Sequence, residues 1–247
     1  MTTLLHGFTQ RGSNWTELAF LLPGMVIVTP DLRGHGANPA GPGEPHTMDS
    51  CTNDVIRLWD EAGIERSHLI GYSMGGRLAL HLATRHPNRL LSLATIGSHA
   101  GLEGSVAAER RLRDEELADA IEARGIEWFV AHWSELPLFT GLSRRGPDFI
   151  ARVRDGRLRN RPEGLAASLR GMGPGAAPPL WDDLDLISCP ALFIAGELDS
   201  GYPDRAARMA AGVRHGRAVT IEGAGHAAHL EDPQAVAAAL RPHLGDR

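Results

Sequence analysis

Two hydrophobic patterns alternate along both ends of the chain. Continuous apolar runs, typical of strands buried on both faces, lie at residues 2–5, 25–29, 68–72, 90–96, 191–195 and 218–222. Apolar residues at helical spacing lie between them, at residues 15–22, 48–62, 75–85, 204–211 and 233–240. Because strands and helices alternate, we predict an α/β fold with a mostly parallel, doubly wound sheet.

The middle of the chain lacks a strand pattern and is rich in Arg, Glu and Gly. We predict a helical cap insertion at residues 99–189, between two parts of one core, 1–98 and 190–247. Its helices are expected at residues 103–124, 126–134, 147–155 and 162–170. A flexible linker is the alternative, but its composition would be low in aromatic residues. This segment contains Trp128, Phe129, Trp133, Phe139 and Trp181.

The predicted strand at residues 25–29 is expected at one edge of the sheet, since the chain opens almost directly on the strand before it. An apolar edge strand is prone to pair with another chain unless it is covered. We therefore expect either a homo-oligomer formed through this edge or a native start that lies upstream.

Composition narrows the function classes. The formal net charge of −5 argues against nucleic-acid binding, which requires a basic face. All 25 basic residues are Arg, and the absence of Lys excludes lysine Schiff bases and P-loop lysines. Two cysteines do not make a disulfide framework, and no apolar run is long enough to span a membrane. We expect a cytoplasmic protein.

Residues Gly71-Tyr72-Ser73-Met74-Gly75 form a Gly-x-Ser-x-Gly motif between a predicted strand and a predicted helix. In this context the motif makes a sharp turn that projects the serine above the sheet. Small residues on both sides of the serine let the strand and the helix approach closely. Ser73 is therefore the candidate nucleophile or base.

A serine hydroxyl becomes reactive when a base and an orienting acid accompany it. Asp199 follows the strand at residues 191–195, and His226 follows the last strand, so we predict the triad Ser73, His226, Asp199. Alternatives remain open. Asp199 could cap a helix, Glu197 is a weaker rival acid, and His226 could be a surface loop residue. His229 is expected to pack, because no third ligand suggests a metal site.

A developing oxyanion or enolate needs backbone N–H donors. Phe8, in the loop after the first strand, and Met74, at the start of the helix after Ser73, are the candidates.

Five motifs together resemble the α/β-hydrolase superfamily and span nearly the whole chain. They are His6-Gly7-Phe8, Asp31-Leu-Arg-Gly34-His35-Gly36, Gly71-Tyr-Ser73-Met-Gly75-Gly76, Gly196-Glu-Leu-Asp199 and Gly225-His226. The resemblance implies the α/β-hydrolase fold, with Asp31 to Gly36 as a structural turn.

The predicted cap carries a narrower resemblance, to the 2-succinyl-6-hydroxy-2,4-cyclohexadiene-1-carboxylate synthases of menaquinone biosynthesis. It rests on Arg77, Ala100-Gly101-Leu102, Glu109-Arg110-Arg111, residues 121–129, residues 133–139 and residues 164–171. The resemblance implies a carbon–oxygen lyase that eliminates pyruvate from 2-succinyl-5-enolpyruvyl-6-hydroxy-3-cyclohexene-1-carboxylate. It further implies a small polycarboxylate substrate, proton abstraction by Ser73 instead of acyl transfer, and no metal or organic cofactor.

By position, the resemblance assigns substrate contacts to Tyr72, Arg77, Arg110, Trp133 and Arg157, with Arg154 and Arg159 as close alternatives to the last. Each arginine could instead be a solvated surface charge. Arg77 lies one helical turn after Ser73, and a guanidinium suits carboxylates. One departure is that Ser200-Gly201-Tyr202 follows Asp199, so a basic residue of the family pattern is missing.

Two other functions remain open. A carboxylic-ester hydrolase would use Ser73 as a nucleophile, and a non-catalytic ligand receptor could retain the same fold. The arginines favour the lyase.

Overall fold

The computed structural model describes residues 1–38 and 43–245, so residues 39–42 and 246–247 of the predicted core lie outside the described residues. One sheet of six parallel strands has the order β2-β1-β3-β4-β5-β6. The strands are β1 (Thr2–Leu5), β2 (Ile27–Val28), β3 (Ser67–Tyr72), β4 (Leu90–Ile96), β5 (Ala191–Gly196) and β6 (Gly216–Ile221). The predicted α/β fold class, with its mostly parallel doubly wound sheet, is confirmed.

The helices outside the central segment are α1 (Thr16–Phe20), α2 (Met48–Glu61), α3 (Met74–Arg85), α7 (Tyr202–Gly212), α8 (Ala228–Glu231) and α9 (Pro233–His243). Between β4 and β5 lie α4 (Gly104–Ser134), α5 (Pro147–Leu158) and α6 (Pro162–Met172), together called the inserted helices. Among the described residues, no helix has both the length and the apolar character that crossing a membrane requires.

One boundary differs from the sequence prediction, because the edge strand β2 contains two residues, where five were expected. The predicted helices at residues 103–124 and 126–134 are both present within α4, and they meet at Gly125, whose backbone is not helical (φ 82°, ψ 176°). Glycine reaches this conformation at little steric cost, so it allows the kink between the two helices.

Adjacent strand residues pack on opposite faces of the sheet. Leu4 and Leu5 are both fully buried, yet they belong to separate apolar clusters, and the same holds for Leu69 and Ile70. Helices therefore cover both faces, as the continuous apolar runs predicted. The loops at the carboxyl ends of the strands are left to form a site at one edge of the layers.

The inserted helices have an apolar core of their own. Seven buried residues of α4 and α6 form it: Ala118, Ile121, Phe129, Val130, Leu165, Ala166 and Leu169. Phe8, in the loop after β1, packs against this cluster and against the sheet core. The inserted helices thus lie over the loop where Phe8 was expected to donate a backbone N–H. The division at residues 99–189 stays a prediction.

The start of α6 contacts the core through its backbone. A Cβ added at Gly164 would lie 2.5 Å from the carbonyl oxygen of Gly34. We expect Gly164→Ala to lower the free energy of unfolding by about 1–3 kcal/mol, because the two backbones must separate. Urea unfolding followed by circular dichroism measures this.

Gly156→Ala is the matched control, because Gly156 lies in α5 and a Cβ there meets no atom within 4 Å. It should be neutral or raise the free energy of unfolding by up to about 1 kcal/mol. Equal losses in the two variants would show that close contact at Gly164 is not what matters.

The strand β2 lies at the edge of the sheet and pairs with β1. The neighbouring Val26 and Phe20 are 64% and 83% exposed. Coverage of this edge by a second chain stays a prediction.

Candidate functional site

Ser73 occupies the turn between β3 and α3 with φ 50° and ψ −107°, one of two non-glycine residues with positive φ among those described. Two close contacts keep the turn tight. A Cβ at Gly71 would lie 2.2 Å from the Gly75 carbonyl oxygen, and one at Gly75 would lie 2.2 Å from that of Leu5. The motif glycines therefore let the strand and the helix meet, while the hydroxyl of Ser73 stays partly exposed.

The three residues expected to form the triad are joined by hydrogen bonds. His226 Nε2 lies 3.0 Å from Ser73 Oγ, and His226 Nδ1 lies 2.7 Å from Asp199 Oδ2. The side chains of His226 and Asp199 are each 3% exposed. Asp199 does not cap a helix, because Gly201 is the residue that precedes α7. Glu197 is not the acid that binds His226, and it instead accepts the backbone N–H of Gly223 at 2.8 Å.

The two expected N–H donors lie in the loop after β1 and at the start of α3. Met74 is the first residue of α3, so its N–H has no partner within that helix. Within residues 1–38 and 43–245, no backbone hydrogen bond is donated by Phe8 or Met74. Both amides are thus free to bind an oxygen that becomes anionic.

Arg77 is a buried cation. Its side chain extends from α3 to the inserted helices, where Nη2 donates to the carbonyl of Met172 at 3.0 Å, and 7% of the residue is exposed. Nε has no partner within the part of the chain described here, and no ion pair there includes this arginine. Burial lowers the pKa of Arg77 to about 10, which still leaves it charged at neutral pH.

Arg157 is the buried member of the three alternatives, because Arg154 and Arg159 are exposed. Its Nη1 donates to Ser134 Oγ at 3.0 Å, and the guanidinium carbon lies 4.5 Å from the centre of the Phe139 ring. Burial lowers its pKa to about 10. Tyr72 is also buried, and this raises the pKa of its hydroxyl well above the usual value. The hydroxyl therefore remains a neutral donor.

The two other expected contacts differ in character. Arg110 donates from Nε to Asp114 Oδ1 at 2.7 Å and is 40% exposed, so part of its charge is already balanced. Trp133 packs against three phenylalanines, with ring centres 5.3 Å from Phe8, 5.5 Å from Phe129 and 5.9 Å from Phe139. It forms an apolar wall beside the charged groups.

A cavity of about 540 Å³ opens against the histidine and acid of the triad. One wall is formed by residues of the 3₁₀ segment Pro137–Arg145, including Leu138 and Arg144, and the other by Leu198 and Tyr202. A volume of this size accommodates a small molecule.

Two buried side chains that connect this region were not found from the sequence. Asn160 donates to the carbonyl of Thr9 at 2.9 Å and accepts the N–H of Gly36 at 3.0 Å. Glu231 accepts the N–H of Gly225 at 2.7 Å and that of Ala227 at 3.2 Å. Neither residue belongs to a local sequence motif. For Glu231, the one indication in the sequence is that an acidic residue follows His226 closely along the chain.

His229 packs, as expected, between the rings of Trp15 and Tyr72, with centres 4.6 and 4.2 Å away. Neither ring nitrogen has a hydrogen-bond partner in the described part of the chain. Within the described ranges, no three His, Cys, Asp or Glu side chains are grouped so that they could hold a metal ion.

Burial lowers the pKa of several histidines, most strongly that of four: to about 4 for His6, and to about 3 for His35, His99 and His229. In the unfolded chain they bind protons near pH 6.5, while in the folded chain they stay neutral until pH 3–4. Stability is therefore lost as the pH falls below about 6.5. We expect each to lower the free energy of unfolding by about 1.4 kcal/mol per pH unit in this window.

Urea unfolding at pH 7.5, 6.0 and 5.0 tests this expectation. His229→Leu should reduce the pH dependence of the unfolding free energy, whereas His215→Gln, at an exposed position, should leave it unchanged. An equal pH dependence in the wild type and His229→Leu would contradict the assignment of His229 as a buried neutral group.

Comparison with known proteins gives consistent results. The pattern of the alpha/beta hydrolase family matches residues 4–239. A Bacillus subtilis protein, named as a candidate 2-succinyl-6-hydroxy-2,4-cyclohexadiene-1-carboxylate synthase, is 38% identical over 93% of this chain and 85% of its own length. The MenH structure from S. aureus is similar with a TM-score of 0.93 and 30% identity, over 99% of this chain and 93% of that one.

The structure of an esterase is nearly as similar to this chain as the MenH structure is. The structure of a thermophilic esterase from Thermogutta terrifontis, with malate bound, has a TM-score of 0.88 and 29% identity, over 99% of this chain and 89% of its own. Fold similarity alone thus does not separate a synthase from an esterase. The match over 4–239 and the full-length relatives establish that the chain belongs to the alpha/beta hydrolase family of enzymes.

Proposed function

We propose that this enzyme is a carbon–oxygen lyase, which eliminates pyruvate from 2-succinyl-5-enolpyruvyl-6-hydroxy-3-cyclohexene-1-carboxylate to give 2-succinyl-6-hydroxy-2,4-cyclohexadiene-1-carboxylate. The observation that carries the proposal is a pair of buried arginines, Arg77 and Arg157. Each of them lines a smaller cavity than the one beside His226 and Asp199. A buried cation without a carboxylate partner costs folding free energy, and an anionic ligand offsets that cost. Relatives named for this reaction cover nearly the whole chain.

The proposed reaction begins with proton transfer from ring carbon 2, which is α to the succinyl carbonyl. Ser73 Oγ takes this proton while His226 takes the hydroxyl proton of the serine, and Asp199 stabilises the imidazolium that results. The N–H groups of Phe8 and Met74 hold the enolate oxygen, a role worth about 10²–10³ in rate for one donor.

The enolate then collapses toward the leaving group. Its electron pair forms the double bond between carbons 2 and 3, the electrons of the ring double bond move from carbons 3 and 4 to carbons 4 and 5, and the bond from carbon 5 to oxygen breaks. The enolpyruvate that leaves receives the proton held by His226 and tautomerises to pyruvate. Arg77, Arg110 and Arg157 would bind substrate carboxylates through planar pairs of N–H donors, with Tyr72 and Trp133 completing the walls.

The hydrolase alternative uses the same groups differently, with Ser73 attacking an ester carbonyl. The similar esterase structure contains bound malate, which is a dicarboxylate. A site that binds carboxylates therefore fits a hydrolase as well as a lyase. The two reactions differ in whether a C–H bond breaks, and this difference can be measured.

The deciding experiment supplies the enolpyruvyl precursor with deuterium or hydrogen at ring carbon 2. Pyruvate release is followed by coupling to lactate dehydrogenase. We expect pyruvate as a product and slower turnover of the deuterated precursor. Rapid hydrolysis of p-nitrophenyl esters, with no pyruvate from the precursor, would instead establish the hydrolase.

A further inference from the structure

Glu231 is a buried carboxylate beside the loop that carries His226. It is the last residue of the short helix α8, and 1% of its side chain is exposed. Ionised carboxylates are seldom buried to this degree unless several donors surround them. The groups that donate hydrogen bonds to Glu231 therefore indicate the role of this buried carboxylate.

Both carboxylate oxygens bind backbone N–H groups that flank the histidine. Gly225, the residue before His226, donates to Oε2 at 2.7 Å. Ala227, the residue after it, donates to Oε1 at 3.2 Å. The peptide unit between Ala224 and Gly225 and the one between His226 and Ala227 are thus held by one carboxylate, which restrains the backbone of the histidine between them.

The remaining partner comes from the segment next to the inserted helices. Arg144, in Pro137–Arg145, has Nη2 3.3 Å from Glu231 Oε2, and the same nitrogen donates to the carbonyl of Gly223. Arg145 continues this contact by donating to the carbonyl of Leu230. The carboxylate thus links the wall of the cavity to the histidine loop.

We propose that Glu231 is a positioning residue, whose two oxygens hold the Gly225–Ala227 backbone so that His226 reaches both Ser73 and Asp199. The proposal rests on the triad of the proposed function. A glutamine has the same shape but one acceptor oxygen, and its NH₂ group would face one of the two backbone N–H groups. Glu231→Gln therefore perturbs the loop without removing volume.

Two readouts test the role. We expect Glu231→Gln to lower kcat for pyruvate elimination at least tenfold while KM changes less than twofold, because a small displacement of a reacting group slows chemistry more than binding. In proton NMR, we expect the far-downfield resonance of the His226 Nδ1 proton to shift or broaden. His226→Gln identifies that resonance in the wild type by its loss.

Asp232→Ala is the matched control, since Asp232 is the neighbouring carboxylate and caps α9 through the N–H of Ala235 at 2.9 Å. It should lower the thermal unfolding midpoint but leave kcat and the resonance unchanged. An equal loss of kcat in Asp232→Ala would show that Glu231→Gln acts through stability alone.

The remaining outcomes are also decisive. Unchanged kcat and an unchanged resonance in Glu231→Gln would overturn the proposal. A wild type that retains the resonance but releases no pyruvate would refute the lyase, and the effect of Glu231→Gln on the resonance would still decide the positioning role. A wild type without any such resonance would mean that His226 is not held against Asp199, which overturns the positioning role directly.

Discussion

Ser73→Ala should lower kcat for pyruvate elimination about 10³-fold or more and leave precursor binding almost unchanged. The serine hydroxyl lies 3.0 Å from His226 Nε2 and, in the proposed reaction, is the group that removes the ring proton. General bases contribute about 10²–10⁴ in rate, and members of a triad act as one unit, so the loss falls at or beyond the upper part of that range. Coupled pyruvate release and calorimetric titration of the precursor measure the two quantities separately.

Ser200→Ala is the control for this variant. Ser200 lines the cavity beside Asp199 and His226 and is exposed, yet no catalytic role is assigned to it. It should retain the wild-type kcat. If Ser73→Ala kept more than a tenth of the wild-type kcat, proton abstraction by the serine would be wrong, and His226 acting alone would become the better base.

Arg77→Met should raise KM for the precursor about tenfold to a hundredfold and should not destabilise the fold. Each charged hydrogen bond to a carboxylate contributes about 1.5–3 kcal/mol, which corresponds to that range. The guanidinium is buried against one carbonyl, that of Met172, and methionine fills similar space without a charge to desolvate. Steady-state kinetics and urea unfolding together check both parts of the expectation.

Arg85→Met, at an exposed position two turns further along α3, is the matched control and should change neither quantity. If Arg77→Met lowered the free energy of unfolding by several kcal/mol with KM unchanged, Arg77 would be a structural link between α3 and α6. The carboxylate-binding role would then fall to Arg110 and Arg157.

Much of this architecture could be predicted because it follows from local pattern. Continuous apolar runs specify strands buried on both faces, and the glycines around Ser73 specify a turn that other residues would obstruct. The order of Ser73, Asp199 and His226 along the chain follows from the loops at the carboxyl ends of β3, β5 and β6. The α/β-hydrolase family assignment is confirmed, while the roles of the individual site residues stay predictions.

The rest depends on contacts between distant segments, which spacing does not encode. The sequence left Arg154, Arg157 and Arg159 as alternatives, and the packing of α5 buries the second of them. In the sequence Glu231 resembles a surface charge, but the fold places its carboxylate against the backbone N–H groups of Gly225 and Ala227.

The backbone contact between Gly164 and Gly34 restricts where substrate can enter the enzyme and where product can leave it. Rigid-body movement of the inserted helices would need space where they contact the core. The backbone segments at Gly164 and Gly34 are in direct contact and leave no such space. Reactant and pyruvate are therefore expected to pass Leu138 and Leu198, which line the cavity beside the triad. Turnover would then depend on how often Arg144 and Arg145, which anchor the segment that contains Leu138, release.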